Sequence, residues 1–339
     1  MRITSWLGRR LTLMAATAAA AATVSVWSPP VAGAEGPSAT PSSAEPTLTL
    51  APQHYHEPAP ERGTLEHLTY STTHDPKDSG PVEKGALIYL PPGYDDEDVD
   101  TRYDVFYLMH GSGDDEYSWM GRPSSPTALT SVLDHMIADS VIDPLIVVAP
   151  TFAPGVAGFA DNVAAFSEEL VGDLMPAVES RYHTYARTTD LQGLIDSRGH
   201  RAFGGFSMGG VTTWHMLEHR LSHFEYFLPM SGDSWNQEPM GGLSRSEATA
   251  AQLADAVVDS GYGLRDYFVF AATGSRDLAF ENMNAQLEAM QAHPEAFDFT
   301  ELGFPDGNLM YYVVDGHVHD YPWAYDYIYN GLQAFFTEH

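Results

Sequence analysis

From about residue 63 to the end of the chain, short apolar runs alternate with longer stretches whose apolar residues recur at helical spacing. "PLIVVAP" (144–150) is apolar throughout, the pattern of a strand covered on both faces. "GALIYLPPGY" (85–94) reads as a strand stopped by Pro91 and Pro92, and "YDVFYLMHGSGDD" (103–115) as a strand that runs into a glycine-rich turn. "FEYFLPMSG" (224–232), "DYFVFAATG" (266–274) and "NLMYYVVDG" (308–316) are further strands, each closing on glycine. Helical spacing marks "TALTSVLDHMIADS" (127–140), "LAFENMNAQLEAMQA" (278–292) and "PWAYDYIYNGLQAFFTEH" (322–339). "NVAAFSEELVGDLMPAVESRY" (162–182) reads as an amphipathic helix kinked before Pro176. "HRAFGGFSMGGVTTWHMLEHR" (200–220) passes from a strand through a tight turn into a helix. Strands alternating with helices predict an α/β domain over 63–339, a mostly parallel sheet with helices on both faces.

The first 62 residues follow a different pattern. Arg2, Arg9 and Arg10 precede an alanine-rich apolar run, and Ala32-Gly33-Ala34 forms a small-x-small cleavage site. This predicts a signal peptide over 1–34 and a secreted protein, by either the general secretory or the twin-arginine route. Residues 35–62 are rich in Pro, Ser and Ala and predict a disordered linker; His54 and His56 lie in it. There is no cysteine, which excludes thiol nucleophiles, thiolate metal sites and disulfides. The formal net charge of −30 argues against nucleic acid and against an anionic membrane surface as partners. A neutral polymer such as a polysaccharide is compatible with it. Oligomeric state is not legible.

Gly205-Phe206-Ser207-Met208-Gly209 is a G-x-S-x-G sequence set between a strand and a helix. That context exposes a serine on a sharp turn, with the helix N-terminus behind it to favour an oxyanion. Ser207 is the candidate nucleophile. A serine hydroxyl needs a base, and the base needs an orienting acid. Asp277 follows the strand at 266–274 and is the candidate acid, with Asp233 as its competitor. "DGHVHDYPW" (315–323) supplies two candidate bases, His317 and His319. Asp315 is too close to them in the chain to approach from the far side of the ring. The amides of Met208 and Ser112 are the candidate oxyanion donors. A metal held by the two histidines would need a third ligand and no clustered set is visible, so neither metal nor cofactor is expected. Tyr117, Trp119, Trp235, Tyr321 and Trp323 lie near the expected mouth, and Trp119, Trp235 and His317 are expected to bind substrate.

Taken together, "YLPPGYDD", "YDVFYLMHGSGDDEYSWM", "IVVAPTF", "FSEELVGDLMPAVESRY", "RAFGGFSMGGVTTW", "FLPMSGDSW", "ATGSRD" and "HDYPWAYDYIYNGLQAFF" resemble the first family of carbohydrate esterases, within the α/β-hydrolases. That family includes feruloyl and acetylxylan esterases, and its relatives include esterase-D-like enzymes and mycolyltransferases. The resemblance implies an α/β-hydrolase fold and a Ser207–His–Asp277 triad. Counting back from "YIYN" (327–330), it places the base at His319, although Gly316 precedes His317. The helix start points the same way: Pro322 suits a first turn and Asp320 a cap, so His319 would lie beside a helix N-terminus that disfavours imidazolium. The function implied is hydrolysis of feruloyl or acetyl esters on plant cell-wall polysaccharide. The alternatives are a mycolyl-type acyltransferase, a small-ester hydrolase of siderophore type, and a non-catalytic binding module on the same fold.

Overall fold

The computed structural model describes residues 48–74, 80–152 and 159–337. The signal peptide expected over 1–34 lies outside the described residues. No helix among the described residues is long and apolar enough to cross a membrane.

Eight strands form the central sheet: β1 (Thr64–Thr72), β2 (Val82–Leu90), β3 (Asp104–Met109), β4 (Leu145–Ala149), β5 (Arg201–Phe206), β6 (Tyr226–Met230), β7 (Phe268–Gly274) and β8 (Leu309–Val314). Their spatial order is β1-β2-β4-β3-β5-β6-β7-β8. β2 runs antiparallel to β1 and to β4, and all pairs from β4 to β8 are parallel. The parallel strands are the apolar runs of the sequence: every residue of β4, β5, β6 and β7 is buried. β1 sits at the edge and alternates between exposed and covered positions. That weak polar alternation is why the sequence reading did not include it.

Side-chain alternation along the strands feeds two cores. On one face Tyr107, Phe203 and Val269 pack with the helical residues Phe166, Trp214 and Leu253. On the other Phe106, Leu108 and Phe268 pack with Leu129, Val132 and Ile328. The second face is covered by α1 (Ala128–Ala138) and by the last helix, Tyr321–Gln333. The first is covered by α2 (Phe159–Glu169), its continuation α3 (Met175–Arg181), α4 (Met208–His219), α5 (Ser246–Ser260) and α6 (Phe280–Met290); the last helix is α7. The kink expected before Pro176 takes the form of a π-helical turn, Leu170–Leu174, between α2 and α3. Proline has no N–H to donate, and a widened turn absorbs the missing bond. Helix α5 was not foreseen; its alanine-rich run and the left-handed Gly261 cap were the available signals.

The expectation of a disordered linker reaching residue 62 does not hold for residues 48–62. Ala51, Tyr55 and Ala59 are buried. The Tyr55 hydroxyl donates to Asp139 at 2.6 Å and the Ala51 amide to Asp326 at 2.8 Å. Tyr55 also stacks on His135, with ring centroids 5.0 Å apart. Gln53–His56 form one 3-10 turn that lays Tyr55 against His135 of α1, so a few apolar residues suffice to dock a proline-rich segment.

Candidate active site

Parallel strands carry their C-terminal ends to one edge of the sheet, where ligands bind in folds of this kind. The ends of β3, β5, β7 and β8 deliver the candidate residues there. At the end of β5 the chain reverses into α4 through Ser207, whose backbone is held at φ 58° and ψ −115°. A non-glycine residue at such angles costs on the order of 1–3 kcal/mol and persists only where its surroundings enforce it. Those surroundings are tight. A Cβ at Gly205 would lie 2.6 Å from the Met109 carbonyl oxygen, and one at Gly209 only 2.3 Å from the same atom. The two glycines of G-x-S-x-G therefore let β3, β5 and α4 close around the serine.

Asp277 and His319 meet across the ends of β7 and β8. His319 Nδ1–H donates to Asp277 Oδ1 at 2.8 Å, and the Asp277 side chain is fully buried while His319 retains 20% exposure. Asp277 Oδ1 also accepts from the Ala279 amide at 2.8 Å. With Nδ1 so engaged, Nε2 is the ring nitrogen left to accept a proton. The His319 ring packs on Phe206, the residue before Ser207, with centroids 4.5 Å apart.

Ser207 and His319 line one cavity of about 200 Å³ together with Ser112 and Met208. Its wall includes Val211, Trp235, Met240 and Leu278, so the space beside the serine is mostly apolar. Three of the non-glycine residues with positive φ among the described residues, Ser207, Ser231 and Met240, border this cavity. Val211, Met240, Leu278 and Asn282 were not singled out from the sequence. Leu278 directly follows Asp277 and is 65% exposed, a large apolar side chain beside a candidate catalytic group.

The competing acid, Asp233, is engaged elsewhere. Its oxygens accept from the Gly242 amide at 2.8 Å and from Trp235 Nε1–H at 3.3 Å, and burial raises its pKa. It thereby orients the Trp235 indole on the cavity wall.

Two of the three residues expected to bind substrate lie away from this cavity. Trp119 is fully buried; its Nε1–H donates to the Met109 carbonyl at 3.0 Å and its ring meets Tyr321 edge-on at 4.6 Å. It supports the end of β3 from below. His317 is 5% exposed, stacks on Trp323 at 4.1 Å and lies 3.3 Å from the Tyr327 hydroxyl. Burial lowers its pKa, so it is held as a neutral core residue. Residues two apart on extended backbone would share a side; a tight turn, in which the Asp320 amide donates to the Val318 carbonyl at 2.9 Å, separates them, so that His317 is buried and only His319 lines the cavity with Ser207. Asp320 occupies the N-cap position of α7, yet its side chain makes no capping bond to the described helix. Tyr117 stacks on His67 and lies under the Arg122 guanidinium. Tyr321 turns its hydroxyl to the loop after β3: the Gly111 amide donates to it at 2.8 Å and it donates to Asp114 at 2.6 Å.

The chain matches the model of the family "Esterase: Putative esterase" over residues 82–328. It is 41% identical over 290 residues to endo-1,4-beta-xylanase Y of Acetivibrio thermocellus, which covers 85% of this chain and 24% of that protein. An endo-1,4-beta-xylanase/feruloyl esterase of Xylanibacter ruminicola is 30% identical over 159 residues, 45% of this chain and 20% of that protein. The chain thus spans a quarter or less of the length of these relatives. Among solved structures, the feruloyl esterase module from Clostridium thermocellum, as a serine-to-alanine mutant complexed with sinapinate, is 39% identical with a TM-score of 0.74, covering 86% of this chain and 94% of that one. A ferulic acid esterase from Anaeromyces mucronatus, 18% identical over 86% of this chain and 98% of that one, shares the fold at a TM-score of 0.63. The strand order, the strained serine turn and these matches agree: the chain belongs to the esterase family and has the α/β-hydrolase fold.

Proposed function

We propose that this protein is a secreted serine esterase that releases an aromatic acyl group, of feruloyl type, from plant cell-wall polysaccharide. The observation that carries this reading is the placement of Ser207 on a strained turn in one apolar cavity with His319, whose far nitrogen is held by buried Asp277. In the reaction, Ser207 Oγ attacks the ester carbonyl while His319 Nε2 takes its proton. Asp277 stabilises the imidazolium that forms. The carbonyl oxygen, now an oxyanion, receives the Met208 and Ser112 amides. Collapse expels the alcohol, which takes the proton back from His319. Water then attacks the acyl-enzyme by the same route and releases the acid.

The apolar wall of Val211, Trp235, Met240 and Leu278 supports a flat aromatic acyl group over acetate, because acetate would leave that wall wet. The sinapinate held by the Clostridium thermocellum module is an aromatic acid and supports the same choice. The xylanase names of the relatives support xylan as the polymer. The basic, alanine-rich leader supports export.

The test is a panel of methyl ferulate, acetylated xylan and p-nitrophenyl acetate, with feruloylated arabinoxylan as the polymer. The expected result is a kcat/KM for methyl ferulate well above that for acetylated xylan, and none with Ser207→Ala. Preference for acetyl esters would overturn the acyl assignment. Transfer to a sugar acceptor in place of hydrolysis would make the protein an acyltransferase.

A further inference from the structure

We infer that Tyr321, hydrogen-bonded to Asp114, is a positioning residue that sets the oxyanion donor of the loop after β3. The inference rests on the ester-hydrolase reading of Ser207. It starts from the Gly111–Ser112 peptide. Its carbonyl, that of Gly111, accepts from His110 Nδ1–H at 2.7 Å, and His110 Nε2 lies 3.0 Å from the Thr151 hydroxyl. A trans peptide is planar, and its C=O and N–H point in opposite directions. Holding the Gly111 carbonyl on His110 therefore aims the Ser112 N–H away from His110, and Ser112 borders the cavity that contains Ser207.

The other side of Gly111 is held by Tyr321. The Gly111 N–H donates to the Tyr321 hydroxyl at 2.8 Å, and that hydroxyl donates its own proton to Asp114 Oδ2 at 2.6 Å. A carboxylate acceptor polarises the phenol oxygen and strengthens it as an acceptor for Gly111. Two consequences follow. The Gly111 amide is committed to Tyr321, which leaves Ser112 N–H as the donor this loop offers. The loop backbone also passes close to the nucleophile: a Cβ at Gly111 would sit 3.6 Å from Ser207 Cβ, an ordinary contact, and 3.3 Å from the Tyr321 hydroxyl. The ring of Tyr321 is itself wedged between Trp119 and Phe206, with centroids 4.6 and 5.2 Å away. Tyr321 thus touches the oxyanion loop and the strand end that carries Ser207, and stands two residues from His319. One side chain keeps the three parts in register.

A displaced donor weakens the transition state more than the bound ester, because the oxyanion exists only after attack. The experiment is Tyr321→Phe, assayed with methyl ferulate and p-nitrophenyl acetate. Phenylboronic acid serves as the tetrahedral mimic and ferulate as the ground-state ligand. A misplacement on the ångström scale predicts that kcat falls roughly ten- to a hundredfold while KM stays within about twofold. Boronate affinity should fall by the same factor as kcat, and ferulate affinity should hold. Asp114→Asn keeps an acceptor for the phenol and should retain most of the activity. Asp114→Leu should lose several-fold, and should add nothing once Tyr321 is already Phe. Asp114 is exposed, so its variants give an answer even where Tyr321→Phe folds poorly. Unchanged kcat and boronate affinity in Tyr321→Phe and Asp114→Leu, or equal losses in ferulate and boronate affinity, would overturn the inference and leave the esterase reading standing. A parental protein inactive on every ester would overturn both.

Discussion

His317 and His319 are separated by one residue and differ in almost every physical respect. His319 is partly exposed, bonded to a buried carboxylate and beside the serine cavity. His317 is buried between aromatic rings. Replacing His319 with Ala should cut kcat on methyl ferulate by about a thousandfold or more, as expected for loss of a triad base, with little change in melting temperature. Replacing His317 with Ala should leave kcat within a few-fold and lower stability by about 1–3 kcal/mol, the range for a buried stacking residue. Urea denaturation with parallel kinetics separates the two, and near-parental activity in His319→Ala would reverse the assignment. The choice between these histidines was open in the residues alone, because composition does not say which way a loop side chain points. The resemblance to the carbohydrate esterases narrowed it, through the register of the "YIYN" segment, and the helix start expected at Asp320 and Pro322 leaned the same way. Trp119 shows the opposite case. An indole close in sequence to a candidate oxyanion loop looks like a binding platform, yet its N–H holds the Met109 carbonyl at the end of β3.

The elements that were legible are those with strong periodicity or uninterrupted apolar character, such as β4, β7 and α4. The serine turn was also legible, since its chemistry needs small residues at fixed places. This gives a direct test. Gly209→Ala puts a methyl 2.3 Å from a backbone oxygen, an atom that moves only with β3 itself. Activity should drop by more than tenfold and stability by a few kcal/mol, as for other steric intrusions into packed backbone. An alanine variant with parental kinetics would show that the turn has more room than the structure gives it. What was not legible at this scale was partnership across elements. His223, in the turn after α4, is held neutral by burial and by nearby Arg201 and Arg220, with its pKa pushed down to about 4. Below the ordinary histidine value of about 6.5 the unfolded chain takes up a proton that the folded state refuses. His223 therefore costs stability as pH falls from about 6.5 towards 4, and has no such effect above that window. In His223→Gln, stability measured against pH should decline less steeply between those limits than in the parent; parallel curves would contradict this.

For the whole molecule, the folded body begins before residue 63, where the apolar pattern places its start. Residues 48–62 read as linker because their apolar residues are sparse, but three of them, Ala51, Tyr55 and Ala59, are buried against the main body. A chain starting at residue 63 should be roughly 2–4 kcal/mol less stable than one starting at residue 48, on the grounds of apolar burial, and melt at least about 5 °C lower. Equal melting temperatures for both would mean the segment adds nothing. The excess of negative charge, −30 overall, fits a neutral polymer as partner better than any polyanion. Among all these groups, the proposed chemistry depends on one oxygen atom, Ser207 Oγ. Incubation with a p-nitrophenyl phosphonate, followed by mass spectrometry of the digested protein, tests it most directly. A single phosphonyl adduct is expected on the peptide containing Ser207, formed at a rate that collapses in His319→Ala and absent in Ser207→Ala; an adduct on any other residue, or none in a folded parental protein, would show that Ser207 is not the nucleophile.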